Sequence, residues 1–226
     1  MKYWLQYSKG GNLRFIGHLD MLHSWERILR RARVPLAFSQ GYSPHPLLSL
    51  AAPLPVGLIS QAEYLELVTT EAVPNLTEMI AVAVPSDIRV AGAVAVPDKT
   101  KPLMGLIRYA DYLVEGIAEG QRAQLEKTLA DFLGQTSVIR TVRRKSGMKR
   151  VDIRPLVHFA HLQGTTLRLR LSIGSVANLR VEDLLQHLDL IPSSLQIARE
   201  QLYLDVDGKA VTPFQYAAAT GTALEG

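Results

Sequence analysis

The stretch Arg14–Pro46 reads RFIGHLDMLHSWERILRRARVPLAFSQGYSPHP, and most of the chain's unusual side chains fall inside it. Met21, Leu22, Trp25, Ile28, Leu29 and Ala32 recur at spacings of three and four, which is one apolar face of a helix. His23, Arg27, Arg30 and Arg31 share those spacings on the other side. Asp20 suits a cap or a first-turn acid at the positive end of the helix dipole, and arginines in the last turns suit the negative end. A solvated face tuned to the dipole explains those arginines, and so does a surface for phosphate. Arg rather than Lys at Arg27, Arg30, Arg31 and Arg33 favours the second, because a planar guanidinium fork matches phosphate oxygens.

Pro35 ends the helix, having no amide donor and restricting Val34. Leu36–Ser39 reads as a short strand. Gly41, Pro44 and Pro46 then punctuate a stiff hook that presents Gln40, Tyr42, Ser43 and His45. An aromatic, a hydroxyl and an imidazole beside a basic helix suit a nucleotide, and also suit an ordinary polar loop.

Outward from this stretch the elements fall into an order. Lys2–Ser8 alternates as a strand, Leu47–Val56 carries Pro53 and Pro55 and suits only an edge, and Gln61–Thr70 is a strand. Val73–Val84 reads as a helix and Ile88–Val96 as a strand. Strand, helix, two strands, helix, strand is the split βαβ, or ferredoxin-like, arrangement. Pro97–Pro102 breaks the composition, and the order then repeats: strand 108–116, helix 121–132, strands 137–144, 157–163 and 166–173, helix 181–188, strand 196–204. Thr166–Ile173 alternates strictly, with Leu167, Leu169 and Leu171 on a dry face and Arg168 and Arg170 on a wet one. The expected class is α+β, with tandem ferredoxin-like modules and antiparallel sheets at residues 1–97 and 103–204, and a loose tail over 205–226. The wet face of each sheet is expected to be open.

At 226 residues the chain has room for two small domains, and the absence of any long apolar run argues against a membrane span. No signal-like apolar core opens the chain, so the expected location is cytoplasmic. There is no cysteine, so disulfides, thiolate zinc sites and cysteine-held iron–sulfur clusters are excluded within this chain. The net charge of +4 permits a nucleic-acid partner without demanding one. That charge is local. Arg140–Arg154, RTVRRKSGMKRVDIR, has seven basic residues against Asp152 alone, which leaves the rest of the chain negative. Arg143, Arg144, Lys145, Lys149 and Arg154 are therefore expected at phosphate. Asp152 next to Arg154 suits either a simple ion pair or a clamp that aims the arginine.

No Gly-rich phosphate loop and no nucleophile elbow occurs. His18 with Asp20 is too sparse for a metal site, and no cofactor is expected. His18 and His45 are the candidate bases of a metal-independent nuclease.

The run Arg14, His18–Asp20, Arg27, Arg30, Arg31 and Ser39–Pro46, continuing through Pro53–Gly57 and Ala62–Leu65 and weakly at Val151–Pro155, resembles the radical SAM-linked domain family of unknown function. Its members are fused to, or encoded beside, B12-binding radical SAM proteins. Where they often carry Asn before Pro-His, this chain has Ser43. The resemblance implies a radical SAM partner in trans, and tRNA or rRNA as substrate. The leading expectation is thus a non-catalytic RNA-binding module using Arg14, Arg27, Arg30, Arg31, Gln40, Tyr42, Ser43, His45 and the 143–154 segment. The alternatives are an endoribonuclease of tandem ferredoxin-like type, and a protein-docking subunit that does not bind RNA.

Overall fold

The computed structural model describes residues 1–144 and 147–221. It divides into two compact units: Met1–Ile107 joined by the chain from Gln201 onward, and Arg108–Glu200. The first unit opens with β1 (Lys2–Lys9), a 3-10 turn at Gly11–Phe15, and α1 (His18–Arg31). It continues with β2 (Leu48–Leu50), β3 (Ile59–Val68), α2 (Leu76–Ala81), β4 (Ile88–Val96) and α3 (Leu103–Leu106). Next come β5 (Ile107–Glu115), α4 (Arg122–Gly134), β6 (Ile139–Arg144) and β7 (Gly147–Asp152). The second unit closes through β8 (Val157–Gln163), β9 (Thr166–Ser172), α5 (Val181–His187) and the start of β10 (Gln196–Val206). Finally β11 (Lys209–Val211) and α6 (Pro213–Gly221) return to the first unit.

In the first unit the strands stand in the order β4-β1-β3-β2, each pair antiparallel. In the second they stand as β10-β5-β9-β8, with β9 antiparallel to β5 and to β8. Both are the ferredoxin-like order of fourth, first, third, second strand. The fold is therefore α+β with mostly antiparallel pairing, as the element order predicts.

The core of the first unit explains the direction of α1. Met21, Trp25, Ile28 and Leu29 bury against Tyr3, Leu5 and Tyr7 of β1 and Leu65 and Leu67 of β3. Trp25 is 0% exposed, and its ring meets Tyr7 edge-on at 4.7 Å. Such a pair adds about 0.5–1.5 kcal/mol beyond area burial. With that face committed, His23, Arg27 and Arg30 point to solvent.

The end of α1 is set before Pro35. The Val34 N–H donates to Leu29 O and the Arg33 N–H to Arg30 O, both at 3.0 Å, which is a Schellman closure. That motif needs a left-handed residue, and Arg33 supplies it at φ +58° where glycine is usual.

Five expectations differ from the structure. Leu36–Ser39 forms only two isolated bridges, Leu36 to Thr69 and Phe38 to Pro46, because β2 takes the edge of β3 instead. The 137–144 segment pairs with β7 as a separate two-stranded arm, because Gly147 at φ +109° turns the chain straight back. The 205–226 segment is not a loose tail where it is described. Phe214 meets Tyr64 at 5.7 Å and Tyr216 stacks on Trp4 at 5.9 Å. That packing seats α6 on the face of the first sheet expected to be open, so β3 is buried on both sides. The unit boundary also falls at Ile107 rather than in Pro97–Pro102.

A left-handed non-glycine residue carries about 1–2 kcal/mol of backbone strain. Arg33→Gly is therefore expected to stabilise the protein by about 1 kcal/mol in urea unfolding, and an unchanged or lower midpoint would contradict the Schellman assignment.

Candidate nucleic-acid interface

The first patch is the outer side of α1. Arg27 lends one N–H to Ser24 Oγ at 3.1 Å, and the Arg30 guanidinium has no hydrogen bond or ion pair among the described residues. Arg33 follows at the strained closure and is likewise exposed and unpaired among the described residues. Arg31 differs: its guanidinium donates to Ala83 O just past α2, so it ties two helices together. Arg14 is exposed and lies 4.7 Å over the Phe15 ring, while its carbonyl receives the Gly57 N–H at 2.7 Å.

The second patch is the hook. Ala37 and Leu47 form its stem, with the Leu47 N–H donating to Ala37 O and the Ala37 N–H to Val68 O, each at 2.8 Å. Ser39 and His45 staple its neck. The Ser39 N–H donates to His45 O at 2.9 Å, the His45 N–H donates to Ser39 Oγ at 3.1 Å, and Ser39 Oγ shares a 2.9 Å hydrogen bond with His45 Nδ1. The loop between them carries Gln40, Gly41 at φ +132°, Tyr42 and Ser43, all exposed. Tyr42 is 105% exposed, so its ring packs on nothing. An aromatic on a stapled loop costs little further ordering when a base stacks on it.

At the foot of the hook lies a groove of about 340 Å³, lined by Lys2, His45, Pro46, Ser49, Glu66 and Pro102 among others. Glu66 is 8% exposed. Its Oε2 takes the Trp4 Nε1–H at 2.9 Å and the Leu103 N–H at 3.0 Å.

The two candidate histidines do not meet. His18 opens α1 and lines a separate enclosed cavity of about 10 Å³ with Tyr7, Lys9, Met21 and Glu63. That is the room of one water molecule, too small for a nucleotide. Burial pushes the His18 imidazole below its ordinary value, with Glu63 opposing, and His18 Nδ1 has no partner among the described residues. Lys9 and Glu63 beside it are both 3% exposed, and Lys9 Nζ donates to Ile16 O at 3.1 Å. His18 thus belongs to a buried polar cluster, and His45 to the hook.

In the second unit the β6–β7 arm carries the basic run. Lys149 and Arg150 are exposed, Arg140 is half-buried, and none of the three has an ion pair among the described residues. Arg143 and Arg144 lie on β6, opposite Met148 and Gly147; Lys145 lies outside the described residues. Arg154 sits elsewhere. Its guanidinium donates to Val157 O and to Leu133 O, each at 3.1 Å, and lies 5.6 Å over the Phe132 ring. The Leu133 carbonyl is one of the unpaired carbonyls at the end of α4, where positive charge is favoured. The expectation of Arg154 at phosphate is corrected on this ground. Asp152 neither pairs with Arg154 nor aims it. Asp152 Oδ1 accepts the Val138 N–H at 2.8 Å and the Arg154 N–H at 3.2 Å. The Ser137 hydroxyl and these amides hold its carboxyl below the usual range.

The family described as "Uncharacterized protein conserved in bacteria (DUF2344)" matches residues 2–181. The chain belongs to the DUF2344 family. No curated protein matches it. Solved structures similar to the DUF2344 chain include a Cbf5–Nop10–Gar1 complex, at 10% identity and TM-score 0.48 over 88% of this chain and 48% of that one. An archaeal box H/ACA sRNP Nop10–Cbf5 complex matches at 9% identity and TM-score 0.40, over 87% of this chain and 46% of that one. An unknown protein from Galdieria sulphuraria matches at 14% identity and TM-score 0.22, over 91% and 98%. The chain thus spans about half the length of the first two. At this level the likeness says nothing of function.

Glu66 is the site residue that sequence reasoning passed over, and the left-handed turn at Arg33 is the feature it did not see. A positive φ has no signature in an arginine, and Glu66 reads as one more polar position of a strand. For the DUF2344 chain the role of Arg154 is testable. Arg154→Ala strands two carbonyls and removes charge-assisted bonds, so it is expected to cost about 2 kcal/mol in urea unfolding, and a wild-type midpoint would reverse that assignment.

Proposed function

We propose that the protein is a non-catalytic RNA-binding module that presents tRNA or rRNA to a partner radical SAM modification enzyme. The observation that carries the reading is the absence, among the described residues, of any carboxylate partner for Arg27, Arg30, Lys149 and Arg150. Some arginines of the second unit are neutralised: Arg170 grips Asp111 through two bonds of 2.7 and 2.8 Å, and Arg168 meets Glu200 at 3.1 Å. Unpaired guanidinium groups at chosen places are what phosphate contact requires. The bare ring of Tyr42 adds a surface for an unpaired base. The radical SAM partner is supported by the resemblance of Arg14–Gly57 to domains that accompany such enzymes, and by a chain without cysteine to hold the cluster itself.

A metal-independent endoribonuclease is the second reading. The room of about 10 Å³ beside His18 is too small for a nucleotide, which leaves His45 as the base on that reading. Arg27→Ala/Arg30→Ala is expected to lower the log–log salt slope of RNA binding by about 1.4, at roughly 0.7 per lost contact on single strands, with the recovered RNA intact on a denaturing gel. Discrete cuts abolished by His18→Ala or His45→Ala would transfer the assignment to the nuclease. An unchanged slope, or no binding at moderate salt, would leave the chain as a docking subunit.

A further inference from the structure

The hook, the edge strand and the face of the first sheet enclose a groove that the backbone-contacting arginines do not explain. Its volume, about 340 Å³, falls within the range of small-molecule sites, about 300–1,000 Å³. Its most informative group is Glu66. A carboxylate that is 8% exposed is costly to bury unless its oxygens are paired. Only one is paired. The Trp4 indole and the Leu103 amide both donate to Oε2, while Oε1 has no hydrogen-bond partner among the described residues. The two bonds on Oε2 fix the plane of the carboxylate, so the open acceptor is held in place before any ligand arrives.

The groups around it sort by charge. Glu66 stands opposite Trp4 on β1 and opposite Ser49 on β2. Lys2 stands opposite Val68, one diagonal step along the same face of the sheet. Lys2 Nζ donates to Thr100 O at 2.6 Å, which uses one of its three protons. No ion pair joins Lys2 to Glu66 among the described residues. The groove therefore offers a fixed acceptor and a cationic donor side by side and not cancelled. His45 flanks it, its Nδ1 held by Ser39.

We infer that this groove receives an unpaired guanine, with Glu66 Oε1 accepting from the N–H edge of the base and Lys2 donating to its carbonyl, beside the His45 ring. Guanine carries a ring N–H between a carbonyl oxygen and an amino group; uracil shares the N–H and the carbonyl but has no amino donor for the carboxylate, and adenine presents a bare ring nitrogen beside an amino group. Adenine in the same pose leaves the carboxylate facing a lone pair and the ammonium facing an amine, and unpaired buried groups of this kind account for strong discrimination. The inference rests on the RNA-binding reading and adds to it the base that the module reads.

The test uses the full chain and two labelled strands, an oligoadenylate with one central guanosine and the same strand with adenosine there. Wild type is expected to bind the guanosine strand roughly tenfold more tightly, the scale of one good base contact. Glu66→Gln keeps an oxygen for Trp4 and Leu103 but turns the open atom into a donor, and the preference is expected to shrink to about twofold or less. Ser49→Phe, which fills the groove from an edge strand, is expected to do the same and carries the test if Glu66→Gln fails to fold. Equal affinity for both strands in wild type, or a preference that survives both variants, overturns the guanine site and leaves RNA binding standing. If neither strand binds, the RNA-binding reading fails. Guanosine 5′-monophosphate then decides the groove alone: amide shifts at Ser49, Glu66 and Val68 that Glu66→Gln abolishes support it, and no shifts overturn it.

Discussion

The packing of Trp25 against Tyr7 is the contact on which the rest of the first unit turns. It fixes the rotation of α1 on the sheet and so decides which side chains are spent on the core and which are displayed. Met21, Ile28 and Leu29 follow Trp25 inward, and Arg27 and Arg30 follow from the same rotation outward. The Schellman closure at Arg33 then turns the chain from α1 toward the hook. A helix rotated by one position would bury a guanidinium. Display of basic and aromatic groups is in this sense a consequence of core packing.

Two kinds of order meet at the hook. Its neck is stapled by reciprocal bonds between Ser39 and His45, while its tip, Tyr42, touches nothing. The staple removes the entropy that a free loop would lose on binding. The groove at its foot is built the same way, with one carboxylate oxygen immobilised and the other open. The β6–β7 arm is the opposite case. Two strands alone have marginal stability in water, and Lys149 and Arg150 are exposed on one of them.

Much of the fold was legible because periodicity carries it. The spacing of Met21, Trp25, Ile28 and Leu29 marks α1, and the alternation of Leu167, Leu169 and Leu171 marks β9, so the ferredoxin-like order of both units could be read before any contact was known. What escaped were features that depend on partners distant in sequence. Phe214 and Tyr216 sit in a run of small residues that looks like a tail, and only Trp4 and Tyr64 reveal why it is a helix. Arg154 stands in a basic run, and only the carbonyls of Leu133 and Val157 distinguish it from its neighbours. Arg27, Arg30, Tyr42 and His45 were visible as types and spacings, whereas Glu66 gains meaning from the two donors that hold one of its oxygens.

On the RNA-binding reading proposed above, RNA lies on the hook and the basic surfaces. Ultraviolet crosslinking of the protein to bound tRNA, with crosslinked peptides identified by mass spectrometry, tests it most directly. Crosslinks are expected at Tyr42 and His45 and on the peptides of the β6–β7 arm. Crosslinks confined to other surfaces, such as the face that carries Arg168 and Arg170, would contradict it.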